Sequence, residues 1–185
     1  MSTLRAYLDQ KREAILARRA KAAAADGQPA PHRLNATVRA EGRSGVRRIR
    51  IRDFQLLSDS PPDFAGYDFG PSSPELQIGV LGSCLTHIFL IQAADRQVPL
   101  DSLEVDVTAE IDPRAGKPGF EPIPIYPHNI QYTVRLESPA SPEAIAELHQ
   151  AVERACPILN LLLNPQAITG TIIQNGGAPL AAAAD

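Results

Sequence analysis

The two cysteines, Cys84 and Cys156, are the residues of this 185-residue chain best suited to chemistry. Cys84 follows the small residues Gly82 and Ser83, and Cys156 stands directly before Pro157, where a helix must break. Two thiols beside small or irregular backbone can form a peroxidatic and resolving pair. They can equally be two apolar core residues, because free cysteine is among the most buried residue types.

A reactive cysteine needs a cation nearby, because the thiolate rather than the thiol is the nucleophile. Arginine supplies a permanent charge and can hydrogen-bond to both a thiolate and a peroxide oxygen. Arg43 lies in a Gly-rich turn from which its side chain could fold over a pocket, and Arg39 on the preceding strand is the alternative. Glu75, at the start of the predicted Cys84 helix, is the candidate carboxylate to orient the guanidinium. A role in capping that helix is equally consistent with its position.

His87 lies three residues after Cys84 and therefore on the same side of a helix. On such an apolar helix we expect a hydrogen-bonded core histidine. A metal site of Cys84, His87 and Cys156 is a second possibility, although the spacing Cys-x-x-His alone is a weak metal motif. The sequence has no P-loop, no dinucleotide-binding glycine run and no His-Glu-x-x-His motif, so we expect no cofactor.

Composition narrows the class of protein. Two cysteines are too few for a disulfide-stapled scaffold, and a net charge of −3 gives no basic field for nucleic acid. The N-terminal segment does not resemble a signal peptide, so a cytoplasmic protein with reduced thiols is expected. The most apolar stretch, residues 78–94, is interrupted by polar side chains and is expected to fall short of a membrane span.

Hydrophobic periodicity predicts the elements that position these residues. Residues 1–25 predict a solvated N-terminal helix that packs only lightly on the rest, with Leu4, Leu8 and Ile15 on a weak stripe, followed by a linker at 26–33. The further predicted helices cover residues 74–94 and 141–155. The predicted strands cover residues 34–41, 46–57, 103–112, 130–136 and 168–173.

The order of these elements indicates an α+β fold with mainly antiparallel sheets, because the strands come in pairs that hairpins can join. The helix at 74–94 is apolar on nearly all sides, which indicates a buried central helix. Two small sheets cannot cover so apolar a helix, so an oligomer that shares it is expected.

Two segments of the sequence resemble the OsmC/Ohr family of proteins. The first runs from Asp68 through Pro74-Glu75-Leu76 to Gly82-Ser83-Cys84, and the second runs from Ser141-Pro142-Glu143 to Cys156-Pro157. The resemblance covers residues 34–174, which makes residues 1–25 a helical extension and residues 175–185 a flexible tail. The loop at 113–127 and the extension depart from the compact Ohr pattern.

The resemblance implies an intertwined homodimer with mainly antiparallel sheets around two central helices and active sites at the subunit interface. It implies an antioxidant, stress-response enzyme that reduces organic hydroperoxides with electrons from an external dithiol. By matching position, Cys84 would be peroxidatic, Cys156 resolving, Arg43 the activating arginine and Glu75 its carboxylate partner. A non-catalytic protein that binds an apolar small molecule beneath the loops 58–74 and 113–127 remains the alternative, and neither nucleic acid nor membrane is expected as a partner.

Overall fold

The computed structural model describes residues 3–24 and 30–180 of the chain. The helices are α1 (Thr3–Ala23), α2 (Ser73–Arg96), α3 (Pro142–Ala155) and α4 (Pro157–Leu163). The strands are β1 (Thr37–Glu41), β2 (Val46–Ile51), β3 (Phe54–Ser58), β4 (Ser102–Glu110), β5 (His128–Glu137), β6 (Ile172–Ile173) and β7 (Pro179–Leu180). All sheet pairings are antiparallel, which confirms the predicted α+β class.

Helix α2 is the central element of the body. It begins with a capping box in which Ser72 and Glu75 satisfy each other's backbone groups, as the sequence pattern predicts. Its buried stripe consists of Leu81, Leu85 and Phe89, which recur every four residues. The helix packs against α1, α3, α4 and β4.

A close approach of α2 to the β4–β5 hairpin explains one of the two glycines in the helix. A Cβ atom at Gly82 would lie 3.2 Å from Cγ2 of Val107 on β4. Glycine at this position therefore lets the helix lie directly on the sheet. Gly79, one turn earlier, has no atom within 4 Å of its would-be Cβ and faces open space in the single chain.

The second cysteine segment forms two short helices with a break between them. Ser141 caps α3, which buries Leu148 and Val152 against α2. Pro157 cannot donate the next helical hydrogen bond, so α3 ends at Ala155 and α4 begins at Pro157. This break is the one that the sequence predicts.

Helix α1 packs on the body along one side and keeps most of its residues exposed. Leu8 is buried in the main core. Arg12 donates to the backbone carbonyls of Ala94 and Asp95, and Arg19 makes two hydrogen bonds of 2.7 Å to the Asp95 carboxylate. The Asp95 carbonyl, at the C-terminal end of α2, thereby gains a hydrogen-bond donor from outside its own helix.

The N-terminal sheet has three strands where the sequence pattern predicts two. Residues 46–57 divide into β2 and β3 because the chain turns at Arg52, which adopts a φ of 55°. Directly opposed residues of an antiparallel sheet share a face, and one face of this sheet is mostly apolar. That face carries Val38, Ala40, Ile49, Ile51, Phe54 and Leu56, with Arg47 and Ser58 at one end.

The apolar face of the N-terminal sheet is open to solvent in the single chain. Val38 is 57% exposed and Phe54 is 62% exposed. The extensive contacts of β1, β2 and β3 are with one another rather than with the body. An exposed apolar face of this kind is typical of an interaction surface.

Both ends of the described chain differ somewhat from expectation. The predicted strand at 168–173 is reduced to β6, which pairs with β7. The predicted tail is therefore partly a small hairpin, and residues 181–185 of it lie outside the described residues. Of the predicted linker 26–33, residues 26–29 lie outside them as well.

Helix α2 also passes a length and composition test for a membrane span. An 18-residue window within it has a mean hydropathy of 1.5, so the expectation that this stretch falls short is wrong. The apolar residues of the window outweigh its few polar residues in the mean hydropathy. A core helix passes the same test, and here 28% of the window is buried by the rest of the chain.

Candidate active site

The two cysteines meet where α2 packs against the junction of α3 and α4. The Sγ of Cys156 lies 3.5 Å from the Sγ of Cys84, and both thiols are free. Cys156 has no exposed surface, whereas Cys84 is half-buried. The two sulfurs are within hydrogen-bond distance of each other, and the Cys84 sulfur is the one that solvent can reach.

The break between α3 and α4 brings one backbone donor and the second thiol to Cys84. The backbone N–H of Ile158, in the first turn of α4, hydrogen-bonds to the Cys84 sulfur alongside the Cys156 thiol. The amide of Asn160 donates to the carbonyls of Cys156 and Glu153 and ties the end of α3 to the start of α4. Pro157 thus produces the irregular backbone that places both groups.

The single chain nevertheless leaves the Cys84 thiol unactivated. Burial raises the pKa of Cys84, and the neighbouring Cys156 adds to this because two thiols so close do not ionise together readily. The N–H of Ile158 lowers the pKa but does not reverse the shift. No cation stands among the groups that shift the pKa of this thiol within the described residues.

Arg43 and Arg39 both lie on the N-terminal sheet and not beside the sulfurs. Arg43 occupies the turn between β1 and β2, as predicted from its glycine neighbours. Arg39 pairs in register with Arg48, on the polar face of the sheet opposite the open apolar face. Neither arginine contributes to the pKa shift of Cys84.

Glu75 caps α2 in this structure. Its Oε2 accepts hydrogen bonds of 2.7 Å from both the backbone N–H and the hydroxyl of Ser72, and these bonds lower the pKa of the carboxyl. Nine residues at 100° each place Glu75 half a turn away from Cys84, and about 13 Å from it along the helix axis. Glu75 therefore cannot act beside the cysteine of its own helix.

His87 is exposed, so the expectation of a hydrogen-bonded core histidine is wrong. It lies on a side of α2 that the other elements of this chain do not cover. Across residues 3–24 and 30–180, no group of three or more histidine, cysteine or acidic side chains is arranged to hold a metal ion. The arrangement of Cys84, His87 and Cys156 thus gives the metal hypothesis no support.

A polar cluster beside Cys156 was not predicted from the sequence. The hydroxyl of Tyr132 on β5 lies 2.7 Å from Nε2 of His149 and 2.7 Å from Oε1 of Glu153. His149 and Glu153 precede Cys156 by seven and three residues and share one face of α3. That spacing was the available signal, but the strand partner Tyr132 could not be assigned to it without the fold.

An apolar cavity of about 330 Å³ lies along the groove between α2 and α4, one helical turn from the cysteines. Leu81 lines it one turn before Cys84, and Leu162 lines it one turn after Ile158. Tyr126 and Pro127, at the end of the 113–127 loop, line the same cavity. Part of the groove expected beneath that loop is therefore present, one helical turn from Cys84 along α2.

A family model described as OsmC-like protein matches residues 65–170, which include both cysteines. Among curated proteins, none matches the sequence significantly. Solved structures with the same fold include an OsmC-like protein from Mycoplasma pneumoniae, with a TM-score of 0.62 at 17% identity over 72% of this chain and 89% of that one.

Two further structures match with similar coverage. A protein from Psychrobacter arcticus described as a putative osmotic stress induced and detoxification response protein has a TM-score of 0.55 at 15% identity, over 72% of this chain and 90% of that one. A putative organic hydroperoxide resistance protein from Vibrio cholerae, with captopril bound in one of its active sites, has a TM-score of 0.52 at 18% identity. That match covers 74% of this chain and 88% of the other. At these identities the likeness shows a shared fold.

Proposed function

The chain belongs to the OsmC-like protein family, and on this premise we propose that it is a cysteine-dependent peroxidase that reduces organic hydroperoxides. The observation that carries the proposal is the free dithiol, with a half-buried Cys84 held 3.5 Å from a fully buried Cys156. The accessible sulfur suits attack on a substrate, and the buried sulfur suits resolution from within. Structural relatives described as hydroperoxide resistance proteins support the substrate class.

The working unit in this proposal is a homodimer in which a second copy completes each site. The open apolar face of the N-terminal sheet and the half-covered α2 are two surfaces that a second copy can cover at once. Arg43 lies in the turn of that sheet, and the Oε1 of Glu75 is not used by the capping bonds to Ser72. Since Glu75 cannot reach its own cysteine, Arg43 and Glu75 of one copy would serve Cys84 of the other.

Attack on the peroxide comes first in the proposed reaction. The Cys84 thiolate attacks the distal peroxide oxygen, so that an S–O bond forms and the O–O bond breaks. The alkoxide takes up a proton and leaves as an alcohol, and Cys84 becomes a sulfenic acid. Arg43 stabilises the thiolate and the charge that develops on the peroxide oxygens.

Resolution and reduction complete the cycle. The Cys156 thiol condenses with the Cys84 sulfenic acid to give a disulfide and water. An external dithiol then reduces the disulfide and is itself oxidised. The scheme uses no bound cofactor, and a cytoplasmic location belongs to it because thiols are kept reduced there.

A binding protein without catalysis is the second candidate, and one observation favours it. The apolar cavity beside Leu81 can hold a small apolar molecule, and burial keeps the pKa of Cys84 raised in the single chain. The two functions differ in whether assembly brings a cation to the thiol. If alkylation of the assembled protein gives Cys84 a pKa at or above its ordinary value of about 8.5, the binding function is favoured.

Replacement of the peroxidatic cysteine tests the proposal. We expect the wild-type protein to consume tert-butyl or cumene hydroperoxide in the presence of a dithiol, and Cys84→Ser to lose this activity. Peptide mass mapping without reductant should show a linkage between Cys84 and Cys156 after peroxide treatment of the wild type. Equal rates of consumption in both proteins would overturn the proposal, and Cys84 found only as sulfinic acid would remove Cys156 as the resolving cysteine.

A further inference from the structure

Arg47, the first arginine of β2, is half-buried and lies on the open apolar face of the N-terminal sheet. Arg39, Arg48 and Arg50 lie on the opposite face. The Nε atom of Arg47 is buried, so the side chain packs along the sheet instead of extending into water. Its contacts bear on the proposed function, on which this inference rests, because Arg43 lies in the adjoining turn.

The guanidinium of Arg47 joins the turn between β1 and β2 to the end of β3. Nη1 donates to the carbonyl of Gly45, in the turn that carries Arg43, over 3.4 Å. Nη2 donates to the Ser58 hydroxyl over 3.0 Å and to the Asp59 carbonyl over 2.9 Å. Ser58 and Asp59 are each 1% exposed, so the two shorter hydrogen bonds are made to a well-packed part of the chain. The planar fork of arginine reaches acceptors on both sides at once.

The segment that follows Asp59 leads from this anchor to the start of α2. The Asp59 carboxylate accepts hydrogen bonds from the backbone N–H groups of Tyr67 and Phe69, which folds the loop back on itself. A Cβ atom at Gly70 would collide with the Leu57 carbonyl, so the loop lies directly on the end of β3. The capping box of α2 begins two residues later. The part of the chain that Arg47 binds is therefore packed continuously up to the start of α2.

We propose that Arg47 is a positioning residue, which holds the turn of Arg43 in a fixed place relative to Glu75 at the start of α2. In the proposed dimer these two side chains of one copy act together on the peroxidatic thiol of the other, so the place of the turn decides whether the guanidinium reaches the thiolate. Gly42 and Gly45, which flank the turn, have φ values of 63° and 71°, and glycine by itself leaves a turn loosely held. The hydrogen bonds of Arg47 restrain the turn from outside.

Replacement of Arg47 in the full-length protein tests this role. We expect Arg47→Met to lower kcat/KM for tert-butyl hydroperoxide by about tenfold or more, because a displacement of ~1 Å at a reacting group can cost about 10²-fold. The pKa of Cys84, measured from the pH dependence of alkylation in the assembled protein, should rise because Arg43 is no longer held beside the thiolate. Arg50→Met, which removes an exposed guanidinium from the same strand, is the matched control and should match the wild type in both measurements.

Two comparisons separate positioning from a charge effect and from general destabilisation. Arg47→Lys keeps the positive charge but lacks the fork, so it should also be impaired, and wild-type activity in this variant would overturn the inference. In an Arg43→Ala background, Arg47→Met should change kcat/KM by less than about twofold, because a residue that acts through Arg43 then has nothing to position. Full additivity of the two substitutions would overturn the inference as well. If Arg47→Met does not fold, Arg47→Lys takes its place in each measurement.

The possible results distinguish this inference from the proposed function. An active wild-type protein whose Arg47→Met variant turns over hydroperoxide equally well would overturn the inference and retain the peroxidase. A wild-type protein that consumes no hydroperoxide, but whose Cys84 pKa rises alike in Arg43→Ala and Arg47→Met, would reject the peroxidase and retain the positioning role. Unchanged amide hydrogen exchange across residues 42–46 in Arg47→Met would also overturn the inference, because a turn that Arg47 holds must open more often without it.

Discussion

The dithiol centre, where Cys84 and Cys156 meet, is packed within one chain, whereas the apolar face of the N-terminal sheet is not covered by it. The dithiol centre has its two sulfurs in contact, its backbone donor in place and its surroundings packed. The N-terminal sheet carries Arg43 but leaves Phe54 and Leu56 open to solvent. The difference teaches that local packing brings the two thiols together, whereas in the proposed function activation of Cys84 depends on assembly.

Among the substitutions considered, loss of Arg43 from the N-terminal sheet should lower the activity of the dithiol centre most. We expect Arg43→Ala to lower kcat/KM for hydroperoxide by roughly 10²-fold or more, the usual result of removing one donor to a developing charge. The pKa of Cys84, measured from the pH dependence of alkylation, should rise in the same variant because the stabilising cation is lost.

Two other arginines of the sheet serve as comparisons for that variant. Arg50→Ala removes an exposed guanidinium from β2 and should leave turnover at the wild-type rate. Arg39→Ala tests the alternative activating residue. A large loss in Arg39→Ala together with normal activity in Arg43→Ala would transfer the role to Arg39.

Truncation of one leucine in each region should separate folding of the chain from assembly. Leu85 is fully buried in the body, so Leu85→Ala should cost about 2–5 kcal/mol of unfolding free energy at any protein concentration. Leu56 is 46% exposed in the single chain. If a second copy covers it, Leu56→Ala should weaken dimerisation, and its effect on the melting temperature should depend on concentration.

Chemical denaturation and light scattering measure both effects. The comparison fails if Leu56→Ala leaves the dimer and its melting temperature unchanged over a wide range of concentration. It also fails if the wild-type protein is monomeric at the concentrations at which it turns over hydroperoxide.

A smaller effect is expected from Asp59, which organises the loop between the two regions. Its buried carboxylate accepts hydrogen bonds from the backbone of Ser60, Tyr67 and Phe69, and these lower its pKa. A lowered pKa contributes stability above the ordinary aspartate value of about 3.9, and that contribution is lost as pH falls through the folded-state pKa. The urea midpoint of the wild-type protein should therefore fall between about pH 5 and pH 3, and this fall should be smaller in Asp59→Asn. Asp53→Asn, in the β2–β3 turn, is the control, and an unchanged slope in Asp59→Asn would contradict the assignment.

The dithiol region was the more predictable of the two from sequence. The capping box at Ser72 and Glu75, the helix break at Pro157 and the paired cysteine segments are all local signals, and the structure has each of them. The weak apolar stripe of α1 does not show where the helix contacts the body. Its docking depends on Arg12 and Arg19, whose partners lie more than 70 residues away in sequence.

The other features that the sequence does not predict also depend on tertiary contacts. The turn that divides β2 from β3 uses Arg52 with a positive φ, where the sequence has no glycine or asparagine to signal it. His87 was assigned to the core because the helix was treated as covered on all sides, whereas this chain covers only part of α2. The Tyr132 cluster joins a strand to a helix 17 and 21 residues away, which no local pattern encodes.

Subunit complementation is the measurement that tests the central claim most directly. Cys84→Ser and Arg43→Ala chains, each inactive alone, are co-expressed with different tags, and the hybrid dimer is purified. If Arg43 of one copy activates Cys84 of the other, one of the two sites in the hybrid is intact, and about half of the wild-type activity should return. A hybrid as inactive as its parents would show that Arg43 does not act across the dimer, and would contradict the account.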